Sequence, residues 1–328
     1  MVVERCISLV NPSEWKDALK GIKHAFSHTW ENCYAMHLTT GLPTYLYSIE
    51  IGESQIVCPI SERTFGGYTD IFTPYGFSGF ISNKHCPEFP GYWKEFVERK
   101  KYVCGYIQIN PILEDSSLFY SIDSFHYNNV HILDLKLTLE ELFMNLSNNR
   151  KPQLKHWDEI SKKITYDKSI LLDFFLNHYH NFMQSRNVSG TYNFARDTLS
   201  FLANLENVLI VGLQNLGRVE AVSLFGYSPI VGDYLFNISL PEGKVYTTAL
   251  LWAGVIRLQS MGVKILNLGG GVRADDTIDL YKRRFGGKQL PLKSLKQVYN
   301  RHIYEQLCQH INADPYEKMG YFPAYQKP

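Results

Sequence analysis

Hydrophobic and polar positions alternate with period two over several short early stretches. CISLVN, TYLYSIEIG, QIVCPISER and YTDIFTPYG each read as a strand, and Gly52, Gly66 and Gly67 punctuate them as a meander. PSEWKDALKGIK reads as a helix with Asn11 or Ser13 at its cap, and EFPGYWKEFVERKK as another. YVCGYIQINP and NNVHILDLKL are further strands. TLEELFMNLSNNRKPQLKHWDEISKK is helical, with a break or restart at Pro152. A second round then follows. KSILLDFFLNHYHNFMQSRNV and RDTLSFLANLE carry a helical period. NVLIVGLQNLGRVEAVSLFGYS is a hairpin turned at Asn215 to Gly217, and GDYLFNISL is a strand. YTTALLWAGVIRLQSMG is a long helix stopped by Gly262, and VKILNLG is a buried strand.

The order strand, helix, meander, helix, strand therefore occurs twice, without a repeat of fixed period. That predicts two mixed α/β domains of related build, 1–150 and 151–328, the second carrying a glycine-rich turn. A single large α/β domain is the alternative. The length of 328 residues suits two ordinary domains.

Composition narrows the classes. Hydrophobic residues make up 45% and charged residues 20%, as in a globular protein. Aromatics, at 14%, suit either an aromatic-lined cleft or a Tyr-rich core. A net charge of +1 gives no global attraction to nucleic acid or membrane, so a phosphate-bearing partner needs a local patch. The six cysteines form no CxxC pair and suggest no disulfide framework. With an N-terminus lacking an apolar signal region, and no apolar run long enough to span a bilayer, the expectation is a cytoplasmic protein.

The densest candidate chemistry is NLGGGVRADDTIDLYKRRFGGKQLPL, starting at Asn267. It is not a Walker loop, because Gly286-Gly287-Lys288 is followed by Gln289 and the upstream spacing fails. It is not a Rossmann fingerprint, because the glycines come late in the chain and the sixth motif position is acidic. Three glycines after a buried strand allow a sharp turn and close backbone approach. Asp275 or Asp276 then caps a short helix on which Ile278, Tyr281, Lys282 and Phe285 share a face. Lys282 either extends past that face to water or lines a cleft. From Lys282 to Arg301 there are seven Lys or Arg residues and no Asp or Glu. This run is either a solvated basic face or a phosphate-contacting patch.

LNLGGGVRADDTIDLYKRRFGG resembles the closing segment of the Fem-type (FemAB) aminoacyltransferases and their relatives in the GNAT acyltransferase superfamily. NNRKPQLKHWDEI, TDIFTPYGFSGF and the terminal YFPAYQ agree in order. The resemblance implies tandem GNAT-like α/β domains facing a shared cleft. It implies transfer of an aminoacyl or acyl group to an amine of a cell-envelope glycan or peptidoglycan precursor, a phosphate-bearing acceptor. Tyr281 and Lys282 match the family's aromatic-lysine pair at the reaction centre, and Tyr192 an acceptor contact. Tyr75, Gly269, Gly270, Gly271, Arg273 and Arg283 complete the candidate substrate contacts. Where the aminoacyl branch has Gly-Pro and then an acid, this chain has Gly79, Phe80, Ile81, Ser82 and Asn83. Asp70, before the turn, is then the candidate base, against an ordinary reading as a turn or cap aspartate.

Amide formation needs a neutral amine, an oriented carbonyl and donors for the oxyanion. Glycine-turn amides and Lys282 suit the last task; Lys282 could instead neutralise a substrate phosphate. Tyr281 could position the acceptor or protonate the leaving group. No G-x-S-x-G context marks a covalent nucleophile. His178 and His180 point to different helical faces, and His24 and His28 lack a third ligand, so no metal site is expected. No tightly bound cofactor is expected. The donor co-substrate is aminoacyl-tRNA or acyl-CoA, and tRNA is favoured because LPEGKVYTT lacks the glycine-rich pyrophosphate loop of CoA users. The runner-up is an acyl-CoA-dependent N-acyltransferase of an amino sugar in surface polysaccharide synthesis. A catalytically inactive binding module is the non-enzyme reading. Peripheral membrane contact is left open, and DNA is not an expected partner.

Overall fold

A computed structural model describes residues 2–186, 190–273, 275–317 and 320–327. They form two compact units, Met1–Asn128 with Pro291–Pro328, and Asn129–Leu290.

The first unit opens with β1 (Val2–Ser8), α1 (Pro12–Ala18), α2 (Trp30–Thr40), β2 (Thr44–Ile51), β3 (Ser54–Phe65) and β4 (Tyr68–Phe72). The short β5 (Ile81–Ser82) pairs with β3, and α3 (Phe89–Arg99) leads to β6 (Cys104–Gln108). Strands β1 to β4 are an antiparallel meander, as their alternation predicted. β4 and β6 are parallel, which requires the crossover that α3 supplies. Tyr47, Phe89, Trp93 and Phe96 fill the core between sheet and α3, so many of the aromatics are core residues here. The sequence pattern gave no signal for α2. It buries Asn32, Cys33, Ala35 and Met36 in near succession, with no polar stripe to mark a period.

β7 (Ser124–Asp134) carries the chain into the second unit. There follow α4 (Leu139–Asn145), α5 (Trp157–Ser161), β8 (Ile164–Thr165), α6 (Lys168–Ser185), α7 (Arg196–Asn204), β9 (Val208–Asn215), β10 (Arg218–Tyr227) and β11 (Val231–Ser239). Asn187 and Val188, the end of the helix expected from Lys168, lie outside the described residues. Next come α8 (Thr247–Ser260), β12 (Ile265–Asn267) and α9 (Thr277–Arg283). The strand order is β7-β12-β11-β10-β9-β8. The β9–β10 hairpin turns at Leu216 and Gly217, both at positive φ, and Gly262 at φ +82° stops α8, as the sequence indicated. Leu250, Leu251, Val255 and Leu258 of α8 are fully buried, each stabilising the unit by about 1.5–3 kcal/mol.

The chain then returns to the first unit through β13 (Lys288–Val298), whose Ser294 to Val298 pair antiparallel with β6, and ends in α10 (Arg301–His310) and a short segment. This corrects the expected division at residue 150. The first unit closes with the last part of the chain, and the segment from Asn129 belongs wholly to the second. The expectation of two α/β units of related build holds. The succession strand, two helices, three meander strands, helix, parallel strand occurs as β1 to β6, with β5 as an extra, and again as β8 to β12.

Candidate functional site

The second unit concentrates unusual polar chemistry where β12 ends beside β11. Their parallel pairing covers only Val231↔Ile265, Gly232↔Leu266 and Asp233↔Asn267. Beyond it, β11 takes a register shift against β10, with Leu224 opposite Phe236 and Phe225 opposite Tyr234, leaving Leu235 as the extra residue of a bulge. β12 stops at Asn267, and the chain turns through Gly269 to Gly271. Gly269 has φ +71°, and a Cβ there would sit 3.0 Å from the Lys282 amine. A Cβ on Gly271 would lie 2.3 Å from Asp276 Oδ1. The glycines are thus required by backbone conformation and by close approach.

Asp276, rather than Asp275, caps α9. Its Oδ1 accepts from the amides of Ile278 and Asp279, and its Oδ2 from those of Val272 and Arg273. Burial opposes its ionisation, but the four amides outweigh burial and hold the carboxyl below its ordinary range. The cap fixes the start of α9 against the turn and so aims Lys282 back at it. Lys282 Nζ donates to the Gly270 carbonyl at 2.7 Å. Burial brings its pKa down to about 8, against the opposing pull of Asp276 and Asp279. It is therefore still mostly an ammonium at neutral pH, with two N–H donors left beyond the Gly270 contact.

Two buried polar features beside the turn were not singled out by sequence reasoning. Asp233 is 6% exposed. Its Oδ1 accepts from Asn267 Nδ2 at 3.1 Å, and Asn267 Oδ1 accepts from the Gly269 amide at 2.8 Å. Asp233 Oδ2 is buried without a partner. Burial raises this carboxyl from 3.8 to about 7, only partly opposed by the Asn267 hydrogen bond. An acid in the otherwise apolar run VGDYLF was the available signal. The second feature is a hydrogen bond of 2.8 Å between His131 Nε2 on β7 and Asp279 Oδ1 on α9, both groups buried. The His131 amide also donates to the Gly269 carbonyl at 3.1 Å, which ties β7 to the same turn. This pair explains why Ile278, expected on the buried face of α9, is 46% exposed while Asp279 takes the inner position.

The other sequence candidates separate. Tyr281 lies beside Lys282, but its hydroxyl donates to the Thr247 carbonyl at 3.1 Å, so it braces α9 against α8 rather than offering a proton to substrate. Arg273 is exposed, and Arg283 pairs with Asp275 at 2.9 Å in a surface ion pair. Tyr192 sits in the turn before α7, where its carbonyl accepts from Tyr179 at 2.8 Å. Tyr75 belongs to the first unit, in the turn after β4, with its carbonyl accepting from Asn32 at 3.2 Å. Asp70 is corrected as a base. It is 1% exposed, bound through Oδ1 by Arg63 Nε at 3.0 Å and Nη2 at 2.8 Å, and through Oδ2 by Tyr325 at 2.9 Å. A carboxylate so fully occupied has no free oxygen to take a proton from an amine.

The later members of the basic run are engaged locally. Lys293 pairs with Glu114 at 2.8 Å, Lys296 donates to the Gly320 carbonyl at 2.8 Å, and Arg301 approaches Glu305 at 4.0 Å, all within the first unit. Among the described residues no group of three or more His, Cys, Asp or Glu side chains is placed to hold a metal ion, and no helix is long and apolar enough to cross a membrane.

No known family profile and no curated protein matches the chain. Solved structures do. One is FemX, with TM-score 0.65 at 10% identity over 93% of this chain and 99% of that one. The fold is shared with FemX. A conserved protein of unknown function from Bacteroides thetaiotaomicron gives TM-score 0.60 at 11% identity, over 91% of this chain and 100% of that one. The C-terminal domain of a putative lysylphosphatidylglycerol synthetase from Agrobacterium fabrum gives 0.56 at 13%, over 91% and 96%. The resemblance drawn from the closing segment is thus borne out in the fold, along nearly the whole chain.

Proposed function

We propose that the protein transfers an aminoacyl or acyl group from a carrier to an amine of a cell-envelope precursor, with charged tRNA as the favoured donor. The observation that carries this reading is the Lys282 ammonium, held 2.7 Å from the Gly270 carbonyl at the glycine turn that follows β12. The shared fold with FemX and with a lysylphosphatidylglycerol synthetase domain supports an aminoacyl group and an envelope acceptor.

In this reading the reactive carbonyl sits at the turn. Attack by the amine places negative charge on the carbonyl oxygen, and the free N–H groups of Lys282 stabilise it. Removing one such donor typically costs about 2.7–4 kcal/mol of barrier. The attacking nitrogen must lose a proton, and collapse of the tetrahedral species breaks the carbonyl carbon's bond to the carrier oxygen or sulfur, which leaves with a proton. Asp233, with a free oxygen and a pKa of about 7, is the group suited to accept the nitrogen's proton, directly or through one water. His131 and Asp279 hold α9 and the turn in register.

The test is incubation of the purified protein with a pool of tRNA charged with labelled amino acids and an extract of envelope precursors, followed by chromatography of the label. Label should move to an amine-bearing precursor, and Lys282→Ala should lower the rate about 10²–10³-fold while keeping the fold. In parallel, native mass spectrometry with acetyl-CoA and longer acyl-CoAs should show no saturable complex. Micromolar acyl-CoA binding with no transfer from tRNA would replace the donor by CoA. Equal activity of Lys282→Ala would remove the proposed role of the lysine.

A further inference from the structure

The first unit holds a cavity whose polar lining its fold does not require. On α3, Pro90, Trp93, Lys94 and Val97 recur at helical spacing and share one face. Beside that face stand the end of β13 and the loop 118–123, and a cavity of about 170 Å³ lies between them. Trp93, Phe119, Tyr120 and Tyr299 give it ring walls. Tyr120 is 54% exposed, which puts the mouth on its side. An apolar cavity of about 150 Å³ admits a benzene ring. This one therefore has room for a single ring or a branched alkyl group.

Apolar side chains would complete such a wall, yet its floor is polar. Gln297 on β13 is 9% exposed. Its Oε1 accepts from Trp93 Nε1 at 3.0 Å and from the Tyr299 hydroxyl at 2.9 Å. Two donors on the oxygen fix the orientation of the amide, and its Nε2 donates to Asp123 Oδ2 at 3.0 Å. The Tyr299 hydroxyl in turn constrains β6. A Cβ on Gly105 would lie 2.2 Å from it, so glycine is the residue that leaves it room. Segments far apart in the chain thus hold one carboxylate at the cavity in a set orientation. Among the described residues Asp123 Oδ1 has no hydrogen-bond partner. A buried polar network with an unused acceptor is less stable than an apolar wall of the same shape, unless a ligand completes it.

The charges select the ligand. Lys94 and Glu98 also line the cavity, one turn apart on α3, and approach each other at 4.0 Å. They offset one another, so Asp123 leaves the lining with one negative charge in excess. Ring faces attract cations as well. An anion would be repelled by Asp123, and a neutral ring would leave its oxygen unused. We propose that this cavity binds a small organic ammonium ion, its apolar body between the rings and an N–H group on Asp123 Oδ1. The proposal goes beyond the transfer reading and does not depend on it. Every residue of the cavity lies in the first unit, whereas Lys282 and Asp233 lie in the second.

The test is calorimetry on the full-length protein with phenethylammonium chloride, and with phenethyl alcohol as a neutral analogue of nearly the same shape. Wild type should bind the ammonium saturably and the alcohol about tenfold or more weakly, the difference a charged hydrogen bond makes. Asp123→Asn keeps an acceptor for Gln297 and removes the charge. It should bind the ammonium about tenfold or more weakly and lose the preference over the alcohol. Tyr120→Ala, at the mouth, should weaken the ammonium by about twofold to fivefold through loss of one ring face. Circular dichroism checks the fold of each variant. If Asp123→Asn does not fold, the comparison of the two probes on wild type decides alone. The proposal is overturned by no saturable binding of the ammonium at millimolar concentration, by equal affinity for the two probes, or by a folded Asp123→Asn that binds the ammonium as wild type does.

Discussion

Each unit contains a parallel strand pair joined by a helix, and in each an aspartate stands on the first strand of that pair. In the first unit Asp70 is on β4 beside the pairing with β6, and in the second Asp233 is on β11 at the end of the pairing with β12. Both are buried, at 1% and 6% exposure. Their surroundings differ. Asp70 faces Arg63 across β3–β4 and receives the Tyr325 hydroxyl, so both oxygens are occupied. Asp233 faces Gly226 across β10–β11, receives one amide proton from Asn267, and keeps one oxygen free. The first arrangement compensates the charge fully and holds strands to the C-terminal segment. The second leaves the group near neutrality in pKa and able to exchange a proton. An aspartate beside the parallel strand pair thus serves stability in one unit and, by our reading, chemistry in the other.

This contrast can be broken at several points. The largest effect is expected at Asp233→Asn, which keeps the shape and removes the proton acceptor. Transfer in the labelled assay should fall about 10²–10⁴-fold, while the melting temperature at pH 8 stays level or rises. A variant as active as wild type would end the assignment of Asp233.

Arg63→Ala should act in the opposite sense. It strands the Asp70 carboxylate in the core and should cost about 3–5 kcal/mol of stability in urea denaturation. A loss below about 1 kcal/mol would mean that the Asp70 cluster is not the compensated pair described here.

The third expectation concerns pH. Between 3.8 and about 7 the folded protein keeps the Asp233 proton that the unfolded chain releases. Stability of the wild type should therefore fall, relative to Asp233→Asn, as pH rises through that window, and the difference should level off above it. A difference that is flat with pH would contradict the raised pKa.

The smallest effect is expected at the turn itself. Gly269→Ala places a side chain at φ +71° and next to the Lys282 amine, and should cost about 1–2 kcal/mol. Its loss of activity should exceed what that destabilisation explains, because the displaced amine is Lys282.

Much of the second unit was legible in sequence, because its signals are local. Gly262 stops α8, Gly217 turns the hairpin, and the glycines after Asn267 mark a turn held by an Asp cap. The first unit hid more. Its closing strand β13 pairs with β6, about 190 residues earlier in the chain, and carries lysines that read as a basic patch; no local pattern reveals that partner. The boundary expected at Arg150 failed for the same reason. At the site, Lys282 was found because a lysine interrupts an apolar helical face. Asp233 and His131 were passed over because each lies in a strand that reads as core, and burial with an unpaired atom is a property of packing. Arg150 was quoted only as part of a charged segment, because its contacts with Thr248 and Tyr281 lie about 100 or more residues away in the chain.

The most direct test of the contrast is a carbon-13 NMR titration of the aspartate carboxyl groups in wild type and Asp233→Asn between pH 3 and 9. The account predicts one aspartate resonance with a midpoint near 7 in wild type, absent from Asp233→Asn. A resonance near 7 that persists in the variant, or a wild type in which every aspartate titrates below pH 5, would contradict it.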